Sequence, residues 1–288
     1  MTKDIGTAGE VIEAARKRLL RHVDDFSRYG DERTQARELL EHAVGGPLDD
    51  HDMVDPRFYT RFNRLIERRT TGEPVPYIRG YEEFRGLRLS VRPGAFIPRQ
   101  STEFLAEQAI RRSRRRTDPI VADLATGVGA VAVAIADEVP DATVFATDIS
   151  KTALRLARAN ARSHNARNVS FLAGSMFEPL PTRLRGSFDV IASHPPYVAP
   201  GELHELPREL TAFEPMESLT DASGDGLGLM RVLIGGAIEW LKPGGWLCVE
   251  VGSDVARTVR SMMTRAGYAE IKSTRGVIAE SRVVVGRR

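Results

Sequence analysis

The chain has 288 residues, 42% of them hydrophobic, and its 41 Lys and Arg nearly balance 39 Asp and Glu. That length allows one large domain plus a small one, and a formal net charge of +2 excludes a surface built wholesale for a polyanion. The one cysteine, Cys248, lies in the apolar run Gly245-Trp246-Leu247-Cys248-Val249, so an intrachain disulfide and a thiolate zinc site are excluded and no metal is expected. The first twenty residues mix charged and apolar types at helical spacing, and no later run has the apolar length of a membrane span. A cytoplasmic protein with no membrane partner is the expectation.

From Val11 to about Thr70, apolar residues recur every three or four positions (Val11, Ala14, Ala15, Leu19; Leu39, Leu40, Ala43; Phe58, Phe62, Leu65, Ile66), with breaks at Gly30 and Gly45-Gly46-Pro47. This predicts a small helical domain over 1–76. Between Pro74 and Pro98 the texture turns to aromatics and alternating apolar positions (Tyr77, Ile78, Tyr81, Phe84, Leu87, Leu89, Val91), which predicts a β-hairpin linker over 77–97.

The third domain, 98–288, alternates helix and strand. A helix to about Arg116 ends in Arg111-Arg112-Ser113-Arg114-Arg115-Arg116, read as a solvated terminus that complements the helix dipole. Strand Ile120–Leu124, helix Ala130–Glu138, strand Thr143–Asp148, helix Lys151–Ser163 and strands Val169–Leu172 and Phe188–Ser193 follow. A long irregular segment to Asp225 precedes helix Gly228–Leu241, strand Gly245–Val251, helix Asp254–Ala266 and two closing strands, Glu270–Ser273 and Ser281–Val285. Repeated strand-helix units imply a doubly wound α/β fold with a mostly parallel, Rossmann-like sheet. The closing strands lack an intervening helix and should form a hairpin that makes one sheet edge antiparallel.

Two strand ends carry the sharpest chemistry. Asp123-Leu124-Ala125-Thr126-Gly127-Val128-Gly129-Ala130 is a strand end, a glycine turn and a helix start. The glycines allow unusual backbone angles and close ligand approach. An acid opening the loop would repel a phosphate but suits a cationic amino-acid ligand. Asp148 closes the next strand, 25 residues later, where a carboxylate can take ribose hydroxyls. Together they describe an adenosyl ligand with a positive end. His194-Pro195-Pro196-Tyr197 then follows the strand Phe188–Ser193, in the region beyond strand ends where ligands bind such sheets. Two prolines stiffen that loop and leave carbonyls free to accept from a substrate N–H, while Tyr197 offers an aromatic wall.

Across nearly its whole length the sequence resembles the PrmC/HemK family, N5-glutamine methyltransferases that modify peptide-release factors. The resemblance rests on Gly72-Glu73-Pro74-Val75-Pro76-Tyr77-Ile78, Phe84-Arg85-Gly86-Leu87, Pro93-Gly94, Ile97-Pro98-Arg99, the glycine loop and Pro195-Pro196-Tyr197. Phe213-Glu214-Pro215, Asp225-Gly226-Leu227 and Leu241-Lys242-Pro243-Gly244-Gly245 extend it. It implies a class I methyltransferase sheet and S-adenosyl-L-methionine as cofactor, held by Asp123, Ala125, Thr126, Gly127, Gly129, Asp148, Ile149, Ser175, Met176 and His194. It also implies a catalytic group of His194, Pro195 and Tyr197, and a substrate surface of Arg99, Glu103, Pro196, Tyr197 and Glu214, with Glu205 and Glu209 as weaker candidates.

Four sites, five positions in all, depart from the family pattern. Ala125 stands at the first loop glycine, His194 replaces the asparagine of Asn-Pro-Pro-Tyr, Gln100-Ser101 replaces Pro-Glu after Pro98-Arg99, and Ser175 stands where an acid borders the adenine. Histidine cannot copy the paired donor and acceptor of an asparagine amide, but it can take a proton. The departures therefore point to N-methylation of an amine, guanidino or amide nitrogen on a small-molecule or peptide substrate. The alternatives are glutamine methylation of a release factor, nucleic-acid amino methylation, which lacks an added recognition domain, and an inactive cofactor-binding protein.

Overall fold

The computed structural model describes residues 6–22, 30–276 and 281–288. Residues 1–5 and 23–29 of the expected helical domain, and 277–280 between the closing strands, lie outside the described residues. The chain forms two compact units, Met1–Tyr81 with Leu206–Phe213, and Glu82–Glu205 with Glu214–Arg288.

The first unit is helical. Helix α1 (Ala8–Leu19) starts with a capping box, in which Thr7 Oγ1 accepts from Glu10 N and the Glu10 carboxylate accepts from Thr7 N. Helix α2 (Glu32–Val44) is capped by Asp31 and stopped by Gly45 in the left-handed region. Helix α3 (Pro56–Thr70) has Asp55 as its cap and proline at its start, and α4 (Val75–Arg79) is one short turn closed by Gly80. Val11, Ile12, Leu19, Leu39, Leu40, Phe62 and Ile66 form the core between them. Tyr77 and Ile78, expected in the hairpin, are buried in α4 instead. A proline in the first turn costs no hydrogen bond, so Pro74-Val75-Pro76 opens a helix as readily as it punctuates a strand. Leu206–Phe213, expected within the irregular stretch of the large domain, belongs to this unit. There Arg69, fully buried, donates from Nε to Gln35 Oε1 at 2.7 Å and pairs with Glu209 at 3.1 Å.

The second unit begins within β1 (Tyr81–Phe84), which forms a two-stranded sheet with β2 (Leu87–Ser90). After α5 (Thr102–Ser113) come β3 (Ile120–Leu124), α6 (Ala130–Glu138), β4 (Thr143–Asp148), α7 (Lys151–Ser163), β5 (Val169–Ala173) and β6 (Phe188–Ser193). The short helix α8 (Arg208–Phe213) falls in the first unit, and α9 (Gly228–Trp240), β7 (Leu241–Gly252), α10 (Ala256–Arg265), β8 (Ala269–Arg275) and β9 (Ser281–Arg287) complete the second. Among the described residues the large sheet has the order β5-β4-β3-β6-β7-β9-β8. Strands β3 and β6 are buried almost throughout, as central parallel strands should be. Alternate residues feed two cores: Val121 and Val190 pack with α5 and α6, whereas Ala122, Leu124 and Ile191 pack with α9 and α10.

The closing strands form the expected hairpin, which makes the pairing at one edge of the sheet antiparallel. Strand β9 lies between β7 and β8 and is antiparallel to both, so the edge strand β8 runs with the parallel majority. Burial explains this. Val283, Val284 and Val285 are covered on both faces and take the inner position, whereas β8 alternates exposed and half-buried residues and suits an edge. The arginine run at the end of α5 is less solvated than expected: Arg112 is buried, its guanidinium 4.5 Å from the centre of the Trp246 ring.

Candidate active site

The chain order reverses at β3, whose neighbours are β4 on one side and β6 on the other. A crevice opens at such a point, where successive connections leave in opposite directions, and ligands bind outside the carboxyl ends of its strands. The residues there are Asp123 on β3, Asp148 on β4 and His194 just beyond β6. Ser193 Oγ donates to Leu124 O at 2.7 Å and stitches the two central strand ends together.

The glycine loop is held from both acids. Asp123 Oδ2 accepts from Thr126 Oγ1 at 2.5 Å and from Ala132 N at 3.0 Å, so it fastens the turn and caps α6. Asp148 Oδ2 accepts from Gly127 N and Oδ1 from Ser150 N, each at 2.8 Å. Burial pushes the Asp123 carboxyl up to about 7 and raises that of Asp148 as well. Ala125, Gly127 and Gly129 all have positive φ, at 57°, 57° and 84°. The two glycines differ in purpose. A Cβ on Gly129 would sit 3.0 Å from Ala157 Cβ, so this glycine lets the loop pack on α7, whereas a Cβ on Gly127 would meet nothing within 4 Å. Gly127 therefore leaves main chain open to a ligand.

Ile149 is 56% exposed directly after Asp148. Gly174 N donates to Asp148 O at 3.0 Å, placing Ser175 beside the same strand end, and Met176 is buried with its carbonyl accepting from Thr147 Oγ1 at 2.8 Å.

His194 stands in an aromatic frame, roughly parallel to Tyr197 with ring centres 5.9 Å apart, and edge-on to Phe96 at the same distance. Its Nδ1 faces Thr102 Oγ1 and Glu250 Oε2, both at 3.4 Å. Glu250 is 1% exposed on β7, and Ser281 Oγ donates to its Oε1 at 2.8 Å. Sequence reasoning missed Glu250, although a lone acid inside the apolar run Trp246–Val251 was a signal. Gly226, part of the motif Asp225-Gly226-Leu227, had no role assigned from the sequence. At φ 69°, a Cβ there would lie 2.6 Å from Ala199 N, so the Asp225-Gly226 turn rests directly on the backbone that follows Tyr197.

The expected substrate acids are engaged elsewhere. Glu214 has a carboxylate oxygen on Ile97 N at 3.2 Å and the other on Arg99 at 2.5 Å, so it orders the loop rather than facing a cationic substrate. Arg99 in turn lies over Phe96 at 4.2 Å. Glu103 accepts from Arg85 N at 2.7 Å, at the turn between β1 and β2. Glu205 is exposed, and Glu209 is the buried partner of Arg69 in the helical unit. Among the described residues, no helix is long and apolar enough to cross a membrane.

The doubly wound sheet, with an acid-bordered glycine loop beside a Pro-Pro-Tyr loop at the switch point, is a methyltransferase domain, and its relatives make the enzyme an S-adenosylmethionine-dependent N-methyltransferase. A family model described as a methyltransferase domain matches residues 118–277, and one described as the PrmC N-terminal domain matches 10–80. The chain belongs to the release factor glutamine methyltransferase family. It is 39% identical to the enzyme of that name from Bordetella pertussis over 259 residues, covering 88% of this chain and 94% of the relative. It is 42% identical to that from Xylella fastidiosa strain 9a5c, covering 78% and 80%. Among solved structures, a methyltransferase from Pyrococcus furiosus shares the fold at 16% identity and TM-score 0.51, covering 79% of this chain and 98% of that one.

Proposed function

We propose that the protein transfers a methyl group from S-adenosyl-L-methionine to the side-chain amide nitrogen of a glutamine in a peptide-release factor. The observation that carries this reading is the identity of 39% and 42% with two enzymes named for that reaction, across 88% and 78% of this chain and 94% and 80% of theirs. It favours the glutamine acceptor over the basic nitrogen of a small molecule that the four departures suggested.

The crevice fits the cofactor. Two desolvated acids resist ionisation there, and a cationic ligand offsets that cost. Gly127 leaves room at the main chain, Asp148 can accept ribose hydroxyls, and Ile149 with Ser175 and Met176 would border the adenine. Bound there, S-adenosylmethionine supplies an electrophilic methyl on a sulfonium. The chain's own part is positioning, which can contribute up to roughly 7–11 kcal/mol when reacting atoms are held in line in a dry site. The Pro195 carbonyl and His194 each take one N–H of the glutamine amide, and Tyr197 walls the acceptor. Transfer of that methyl to the amide nitrogen would leave the electron pair of the C–S bond on sulfur, as a neutral thioether. The surplus proton on nitrogen would pass to solvent along a hydrogen bond that either histidine or asparagine at position 194 can accept.

The test is to incubate the protein with a peptide-release factor and labelled cofactor and to map the label by mass spectrometry. A single methyl on one glutamine is expected, and His194→Asn should keep or raise that rate, since asparagine restores a paired amide complement. An unlabelled release factor beside a methylated small amine would restore the basic-nitrogen reading.

A further inference from the structure

The methyltransferase site contains a buried acid that the reading above does not use. Glu250 is 1% exposed, and while Ser281 holds its Oε1, its Oε2 has no hydrogen-bond partner among the described residues. That oxygen faces His194 Nδ1 at 3.4 Å. A buried carboxylate oxygen left unpaired is costly, so one aimed at an imidazole nitrogen calls for explanation. A carboxylate can only accept, whereas either imidazole nitrogen can carry the proton. Resting on the glutamine reading, we propose that Glu250 is the positioning residue for His194: it holds the proton on Nδ1 and so presents Nε2 as the acceptor for the substrate amide N–H.

The physical logic is that of any histidine oriented by a buried acid. The partner selects the tautomer, fixes the ring plane and balances the charge if the ring takes up a proton. The ring is already clamped from other sides, by Tyr197 face-on and Phe96 edge-on, so one bond to Nδ1 suffices to set which nitrogen faces outward. Thr102 Oγ1, also 3.4 Å from Nδ1, accepts or donates equally well and cannot make this choice alone. By this device a histidine supplies the acceptor half of the asparagine it replaces. One amide N–H goes to Nε2 and the other to the Pro195 carbonyl.

Glu250→Gln tests the assignment. The new side chain keeps the shape and can still accept from Ser281, but it turns an NH2 donor toward Nδ1. Nδ1 then becomes the acceptor and Nε2 carries the proton. In the full chain labelled with 15N-histidine, and with the His194 signal assigned through His194→Asn, the ring nitrogens should report Nδ1–H in the parent protein and Nε2–H in Glu250→Gln. This measurement needs no methyl acceptor, so it stands even if the release factor proves not to be the substrate. With the release factor as acceptor, Glu250→Gln should lower kcat/KM by about 10–100-fold, by analogy with the loss of the outer-shell partner that orients a metal-bound histidine. In a His194→Asn background the same change should cost less than about threefold, whereas a merely structural role would cost the same in both. An Nε2–H ring in the parent, an unchanged tautomer in Glu250→Gln, or equal losses in the two backgrounds would each overturn the assignment.

Discussion

Ala125 is the residue at which a departure from the family pattern acquires a physical meaning. Its φ of 57° is the left-handed region that the replaced glycine enters freely and an alanine does not. Ala125→Gly should therefore raise stability by roughly 1 kcal/mol through relief of that strain, offset in part by the freer unfolded chain. A higher melting temperature with cofactor affinity unchanged or improved is the expected outcome, and a lowered one would mean the methyl fills packing the loop needs. Asp148 keeps to the family pattern, and its two oxygens order Gly127 and Ser150 even before any ligand arrives. Asp148→Ala should weaken S-adenosylmethionine binding by on the order of 1–3 kcal/mol, and unchanged affinity in calorimetry would remove the ribose assignment.

At the scale of elements, the loop after β6 is held in place by a turn that is distant in sequence. Gly226 touches the backbone of Val198 and Ala199, and Val198 N donates to Leu219 O at 3.1 Å, so the 219–226 stretch is the floor on which Tyr197 stands. A methyl at 226 would meet main chain, which yields far less than the end of a side chain. Gly226→Ala should cost roughly 1–3 kcal/mol of stability through overpacking and positive φ. It should also lower methyl transfer by more than it lowers cofactor affinity, since the glycine loop lies on other strands. Equal losses in the two assays would show that the turn supports the whole crevice rather than the acceptor side of it.

For the whole molecule, the buried acid Asp123 couples folding to pH. With its carboxyl near 7 when folded and near 3.8 in the unfolded chain, the folded state binds the proton more tightly between those values. Asp123 therefore makes the cofactor-free protein less stable as pH rises from about 4 to about 7, and contributes no further change above that. Half-buried acids such as Glu13 and Asp50, held below the usual range by their arginine partners, push the other way. The comparison is thus the parent against Asp123→Asn, each unfolded by urea across this range. The difference in stability should move in favour of the asparagine variant as pH rises, by about 1.4 kcal/mol per pH unit at most. A difference flat in pH would place the folded carboxyl in its ordinary range.

The alternation of strands and helices from Ile120 onward, the acids at the ends of β3 and β4, and the Pro-Pro-Tyr loop after β6 were all legible in the sequence. Each is a local matter of periodicity, turn chemistry or short motif, and such signals do not depend on what packs nearby. Tertiary packing decided what local signals leave undetermined. It put β9 inside the sheet and β8 at the edge, because two-sided burial belongs to the assembled sheet and not to either strand. It assigned Leu206–Phe213 to the helical unit through Glu209 and Arg69, and it turned Glu214 inward to Arg99 and the Ile97 amide. Above all it brought Glu250 to the ring of His194 from 56 residues along the chain, a pairing between strand ends that only the parallel register of β6 and β7 creates.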